Sequence, residues 1–397
     1  MGNKIGIVGY GATNNPGRNY INKSFKELAA ISFYEAINDS QINVDDIDFA
    51  SFSYTGEAGI GYGAAGATMI DVLGLKNIPS YVNHANCSSG AVALHESYSM
   101  LKSGDLNVGL VCGFDKQTDI MAYENYMLLS TDTDYDYKLG ISHLHYFMLA
   151  DQYANEHDID PNKVKNALVY FAKLMYENGA ENPISSVYKR KMNPLLLEKM
   201  PLYGNAVTPG EGSVSLIMAT EEYAKENKLP NFVEIEDSVF LSSSQYIGRT
   251  YDFENNGLGH GNLLHKAYQK LFEKTELNIE DIDTFGLYDM GVNPLLTIEA
   301  AGLCPKGKAA DYILEGNIDI GGTSPINTDG GNIARGHAAG PGALYQVIEI
   351  CDQLLKRPKG KRIPNQVSRG VINSIGGYYA TAILTLFRRG EINDSIS

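Results

Sequence analysis

The chain has 397 residues, 44% hydrophobic and 20% charged, with a formal net charge of -15 at pH 7. That length buries a large core, and the acidic balance excludes nucleic acid or an anionic membrane surface as the main partner. The four cysteines (Cys87, Cys112, Cys304, Cys351) and eight histidines show no Cys-x-x-Cys pair and no HExxH spacing, so neither a disulfide framework nor a metal site is expected.

The opening MGNKIGIVGYG carries no long apolar stretch with a cleavage site after it, and no run of 18 apolar residues occurs anywhere in the chain. A cytoplasmic location without a membrane span is expected. The glycines of GIVGYGATNNPG lack the GxGxxG order, which argues against a dinucleotide fingerprint. Next comes INVDDIDFASFSYTG (42–56), which resembles LNIEDIDTFGLYDMG (277–291). Each reads as an acidic turn leading into an apolar strand.

A second internal pair follows. Cys87 precedes SSGAVALHESYSMLKSG, and His337 precedes AAGPGALYQVIEICDQLLKRPKG. Both are small, glycine-containing openings to a helix with apolar residues at i, i+3, i+4. A strand follows each helix: VGLVCGF (108–114) after the first, TAILTLF (381–387) after the second. Strand, loop, helix, strand in both parts predicts two related α/β units. The intervening 120–220 stretch, rich in tyrosine and methionine, has no counterpart and reads as an insertion over the site. The expected division is 1–119 with 205–225 as the N-terminal half, 120–204 as the inserted loop or cap region, and 226–397 as the C-terminal half.

Cys87 stands where helix-start N–H groups are unpaired and the helix dipole favours negative charge, a location that lowers a thiol pKa. Ser88, Ser89 and Gly90 leave the backbone open, so the Cys87 N–H can receive a carbonyl oxygen. His337, at the end of the glycine-rich NTDGGNIARGHAAG, is a suitable base for that thiol. Duplication predicts that the two helix mouths face each other and bring Cys87 and His337 together. The turn in VINSIGGYYATAIL (371–384), Gly376 above all, can complete an oxyanion hole. The same residues also admit plain structural readings: a small buried residue at a helix start, and a strand-entry bend. Cys112, Cys304 and Cys351 read as packing residues.

Together these segments resemble the thiolase superfamily over nearly the whole chain. NCSSGAVALHESYSMLKSGDLNVGLVCGFDK resembles the nucleophile segment of sterol-carrier-type thiolases, and INTDGGNIARGHAAG their GHP segment. The resemblance implies a five-layered αβαβα fold, with two mixed sheets among three helix layers, and a homodimer. Tyr288-Asp289-Met290-Gly291 stands where those thiolases have His-Asp-Cys-Phe, and Ser374-Ile375-Gly376-Gly377 stands for the Cys-x-Gly-Gly of other thiolases.

YENY (123–126), YDYKLGISH (135–143), LYDMG and NTDGGNIARGHAAG are more closely similar to the thiolase-like subunit of bacterial diacetylphloroglucinol-type C-acetyltransferases. That resemblance implies Cys87 as the acetyl-carrying nucleophile and His337 as its base, with Tyr123, His143 and Tyr288 lining the pocket and binding the acceptor or its oxyanion. Thr55 falls where that subunit has a pocket histidine, and Ala339 where it has a serine.

The expected function is acyl transfer that forms or cleaves a C–C bond through a Cys87 thioester, with a small-molecule acyl donor and an aromatic or 1,3-diketone-like acceptor. No cofactor is required in the chain, and a coenzyme A thioester is an expected donor or product. The implied partners are a small OB-fold, zinc-ribbon protein and a ketoacyl-synthase-like chain. Two alternatives stay open at this point: a coenzyme A-dependent 3-ketoacyl or acetoacetyl thiolase, and a non-catalytic thiolase-fold scaffold.

Overall fold

The two copies of the repeated acidic segment fold alike. Val44–Asp46 and Ile279–Asp281 each form one turn of 3-10 helix, and each leads into a strand, Phe49–Ser53 (β2) in one half and Thr284–Gly286 (β9) in the other. The last aspartate of each copy then pins the start of a neighbouring strand. Asp48 accepts from the N–H groups of Asn107 (2.7 Å) and Val108 (2.9 Å), and Asp283 accepts from those of Ser368 (2.7 Å) and Arg369 (2.9 Å). The pinned strands are Val108–Lys116 (β4) and Arg369–Gly376 (β10), and both run parallel to their acidic-turn strand. The counterpart of 108–114 is therefore β10 and not 381–387. The expected pairing skipped one strand, because both 369–376 and 381–387 are short apolar runs that periodicity cannot rank.

The computed structural model describes residues 3–390 except 15–19, 62, 118, 121–130, 133, 135–137, 139–143, 201–203, 208–209, 246–250, 253–256 and 259–260. The other strands are β1 (Ile5–Ala12), β3 (Ser80–Asn83), β5 (Glu211–Thr220), β6 (Val233–Ser242), the short pair β7 (Tyr251–Asp252) and β8 (Gly257–Leu258), and β11 (Thr381–Arg389). Nine of them are hydrogen-bonded in the order β3-β2-β4-β5-β1-β6-β11-β10-β9. The two expected mixed sheets are joined where Ile5–Ile7 of β1 pairs with Val233–Ile235 of β6.

The helices in chain order are α1 (Phe25–Ser40), α2 (Glu57–Ile60), α3 (Ala65–Val72), α4 (Ser89–Lys102), α5 (Leu144–Glu156), α6 (Pro161–Glu181), α7 (Pro194–Lys199), α8 (Glu221–Glu226), α9 (Asn262–Thr275), α10 (Asn293–Ala301), α11 (Ala309–Leu314) and α12 (Gly342–Leu354). Ser24 and Glu27 form a reciprocal capping box that starts α1. α1 packs on β1, β4 and β5, whereas α9 packs on β6 and β11. Between these outer layers, α4 and α12 touch each other and strands of both halves.

The strands report this layering through their alternation. Val214, Leu216 and Met218 of β5 face the central helices, while Ile217 and Ala219 face the α1 side. α12 is buried over its whole length, including Glu349, Asp352 and Gln353. These polar residues are paired: Thr328 donates to Glu349 at 2.6 Å, Tyr10 to Asp352 at 2.6 Å, and the Gln353 amide to the Lys361 carbonyl at 2.7 Å. The architecture is the α/β, thiolase-like one that the sequence predicts.

Candidate active site

The segment before α4 is a tight turn fixed by its own serines. Asn86 takes the left-handed conformation (φ 51°). Ser89 Oγ accepts from the Ala85 N–H at 2.9 Å and donates to the Asn86 carbonyl at 2.7 Å, while Ser88 Oγ donates to the Ala85 carbonyl at 2.7 Å. Ser88 also meets Thr381 of β11 at 2.8 Å, which ties the turn to the other half. Cys87 sits on this turn, 5% exposed. Hydroxyl-bearing residues are needed here because the turn leaves backbone groups that helix and sheet cannot satisfy.

The second helix mouth is held by a buried polar cluster. One turn of π-helix, Gly331–Arg335, precedes His337. The Arg335 guanidinium, itself buried, pairs with Asp329 and donates to Asn332 Oδ1 (2.7 Å) and to the carbonyl of Gly342 (3.3 Å), so it spans the loop that carries His337. Ser185 and Ser186, which follow α6, donate to the Ala334 carbonyl at 3.0 and 2.8 Å. The two mouths are pressed together: a Cβ placed on Gly90 of α4 would lie 2.7 Å from the Gly340 carbonyl oxygen, a separation only glycine allows.

Tyr288 lies between the two reactive side chains. Its backbone N–H donates to Asn373 Oδ1 of β10 at 2.7 Å, and Asn327 holds the preceding Leu287 through both its N–H (2.8 Å) and its carbonyl (2.9 Å). The Tyr288 ring meets the His337 ring edge to face, with centroids 5.8 Å apart, and its hydroxyl favours the anion of the Cys87 thiol. All three side chains are buried. Gly376 closes the site from β10: a Cβ there would stand 2.4 Å from each of Ala85 O, Ser88 Oγ and Thr381 Oγ1.

Burial corrects one expectation. The Cys87 thiol is pushed up to about 11 rather than down, first by desolvation and further by the charge of Asp115, while the hydrogen bond from Tyr288 opposes the rise. The helix start favours a thiolate, but an enclosed sulfur loses its hydration, and that effect is the larger. Cys87 therefore rests as a thiol and must surrender its proton as it attacks.

The remaining expected residues fall as follows. Thr55 lies in the loop after β2, with its hydroxyl and N–H on Asp115. Ser374 is buried on β10, two residues before Gly376, and its hydroxyl has no hydrogen-bond partner among the described residues. Tyr123 and His143 lie outside the described residues. Cys112 and Cys351 are buried in β4 and α12 as expected of packing residues, and Cys304 is half-buried in a loop. No group of three or more potential ligands among the described residues is placed to hold a metal ion, and no described helix is long and apolar enough to cross a membrane.

Three residues escape a sequence reading. Asp115 ends an apolar strand at its site end, a position that is itself a signal in α/β sheets. Arg335 lies two residues before His337, in the same glycine-rich run. His84, three residues before Cys87, sits half-exposed with Nδ1 3.1 Å from the Tyr54 carbonyl oxygen and Nε2 3.8 Å from the Glu57 carboxylate.

Residues 11–211 match the family described as Thiolase, N-terminal domain, and residues 261–389 match Thiolase C-terminal domain-like. The chain belongs to the thiolase family. It is 27% identical over 413 residues to sterol carrier protein 2 of Gallus gallus, covering 98% of this chain and 72% of that protein. It is 26% identical over 398 residues to an acetyl-CoA acetyltransferase of Methanocaldococcus jannaschii, covering 96% of this chain and 97% of the relative. Among solved structures, the Ltp2-ChsH2(DUF35) aldolase superposes with a TM-score of 0.80 at 18% identity, over 97% of this chain and 98% of that one. An acetyl-CoA acetyltransferase from Syntrophomonas wolfei superposes at 0.74 and 15% identity, over 98% and 100%. As a thiolase-family chain with relatives named acetyltransferases, the protein is of the acyltransferase type.

Proposed function

We propose that the protein moves an acyl group, acetyl in the first instance, between a donor and a carbon acceptor by way of a thioester on Cys87. The observation that carries this reading is Tyr288, whose ring meets that of His337 edge to face and whose hydroxyl favours the Cys87 thiolate. In the first half-reaction the sulfur attacks the donor carbonyl while its proton passes to His337, and the donor's leaving group departs with a proton. In the second, His337 takes a proton from the acceptor, the resulting enolate or phenol-derived carbanion attacks the thioester carbonyl, the C–C bond forms as the C–S bond breaks, and the sulfur receives the proton from His337. Gly376 and the Cys87 N–H are the proposed donors to the tetrahedral oxyanion. Tyr288, a neutral phenol, binds the oxygen of the acceptor. Tyr123 and His143 are proposed to complete the acceptor pocket, with Thr55 and Ser374 among its supports.

The acceptor proposed is aromatic or 1,3-diketone-like, following the similarity to the diacetylphloroglucinol-type subunit. The proposed setting is cytoplasmic: a homodimer in a larger assembly with a small OB-fold, zinc-ribbon protein and a ketoacyl-synthase-like chain. The structural neighbour named Ltp2-ChsH2(DUF35) aldolase supports the idea of a second subunit. The test is intact-protein mass after treatment with acyl donors. An added acyl group on the wild type, absent from Cys87→Ala, is expected; a wild type that stays unmodified with acetyl and longer donors would reduce the protein to a scaffold.

A coenzyme A-dependent 3-ketoacyl or acetoacetyl thiolase is the second reading, favoured by full-length relatives named acetyl-CoA acetyltransferases. A cavity of about 410 Å3 beside α6 and α7 is lined by Lys173 and Lys361, which pair with Glu177 (3.8 Å) and Glu181 (3.7 Å) of the same lining, and by Arg190 and Lys191, the two cations it offers to the phosphates of such a thioester. Conversion of acetoacetyl-coenzyme A and free coenzyme A into two molecules of acetyl-coenzyme A would favour this reading over transfer to an aromatic acceptor.

A further inference from the structure

Asp115 is the last residue but one of β4 and is fully buried. Its carboxylate accepts from the Thr55 N–H (3.3 Å), the Thr55 hydroxyl and the backbone N–H of Gly340. Among the described residues no Lys, Arg or His lies within 4.0 Å of it, so this is a buried carboxylate held by neutral donors alone. Such a group is disfavoured in a core unless its hydrogen bonds serve something.

The donors come from the two halves of the molecule. Thr55 follows β2 of the N-terminal half, and Gly340 lies three residues past His337 in the C-terminal half. A lysine or asparagine at 115 would not give the same three-way acceptor, because a single anionic carboxylate offers lone pairs to all these donors at once. The contact sits where α4 and the His337 loop close on one another, beside the Gly90–Gly340 approach.

We propose that Asp115 is a positioning residue that clasps Thr55 to Gly340 and so sets the His337 loop against Cys87. The proposal rests on the Cys87 thioester reading for its consequence in catalysis. Its charge has a second effect: a negative group enclosed near the sulfur disfavours the thiolate, so the thiol stays protonated until His337 removes the proton.

The test is Asp115→Asn, read first by the pH dependence of Cys87 alkylation with iodoacetamide, followed by intact mass. This arm needs no acyl donor, so it stands even where the acyltransferase reading fails. With the charge gone, the alkylation midpoint moves to lower pH and the rate at pH 7.5 rises roughly threefold or more. In acyl transfer, kcat falls roughly tenfold because the base is displaced, and KM rises with it as the Thr55 support of the acceptor pocket loosens. Asp115→Glu keeps the charge, so its alkylation midpoint stays with the wild type while kcat still falls. An Asn profile that is unchanged or moved upward, or a kcat within about twofold of wild type, overturns the proposal. Should Asp115→Asn not fold, Thr55→Val removes one clasp donor and leaves the carboxylate; a loss of kcat that Thr55→Ser restores supports the clasp, and a wild-type kcat in Thr55→Val overturns it.

Discussion

The Tyr288 and His337 rings meet edge to face with centroids 5.8 Å apart, and of the groups acting on the Cys87 thiol the Tyr288 hydroxyl is the strongest that favours the anion. Cys87 and Tyr288 come from different halves of the duplicated chain. Replacement of Tyr288 by Phe keeps the ring against His337 and removes only the donor. Alkylation of Cys87 should then require higher pH, and acyl transfer should fall roughly tenfold or more, since the phenol that binds the acceptor oxygen and favours the thiolate is gone. The melting temperature should move little, since one hydrogen bond contributes only about 1 kcal/mol net.

Gly376 tolerates no side chain. Gly376→Ala would put a methyl group 2.4 Å from three oxygen atoms, two of them on the Cys87 turn and the third on Thr381, its hydroxyl tie to β11. The turn must shift to admit it, with a loss of about 1–3 kcal/mol of stability. Chemical denaturation would measure that loss, and loss of acyl labelling at Cys87 should accompany it.

Stability should depend on pH through Asp289, which accepts from the Asn332 N–H at 2.7 Å and so steadies the loop before His337. Burial pushes its carboxyl from 3.8 up to about 7. The fold thus holds a proton that the unfolded chain has already released, and its advantage, complete below about pH 4, disappears as pH rises through 7. The slope is at most about 1.4 kcal/mol per pH unit for one group. Asp352, pushed up to about 6 by burial, acts in the same direction. Unfolding midpoints compared at pH 5 and 7.5 should differ less in Asp289→Asn than in the wild type.

The two pinning aspartates are a test of the duplication. Asp48→Ala and Asp283→Ala each remove the acceptor for two strand-start N–H groups, and each should lower stability by about 1–2 kcal/mol. The sites lie in opposite halves and share no partner, so the double variant should show the sum. A clear departure from additivity in urea unfolding would mean that the halves communicate through these strands.

Much of this arrangement was legible in residue order alone. The DID segments marked two equivalent half-folds, and the small residues around Cys87 and His337 marked two helix mouths that the fold does bring face to face. What escaped notice depends on tertiary surroundings. No local pattern ranks 369–376 against 381–387 as the partner of 108–114, because register is set across the sheet. The thiol's resistance to ionisation follows from enclosure by Tyr288 and the opposing half, which spacing does not encode. Asp115 looks like the tail of an apolar strand until Thr55 and Gly340 arrive from 60 residues before and 225 residues after it.

The place of β1 in the strand order has a consequence for how the molecule is made. Residues 5–12 are synthesised well before their partners, residues 214–220 and 233–235. The central strand must wait, unpaired, through the synthesis of some 200 residues, the kind of long-range pairing that slows acquisition of structure. An apolar segment left open for that long is a place where nascent chains stick to each other, and a chaperone that shields IGIVGYGA during translation would raise the yield of active protein more than one acting on the finished chain.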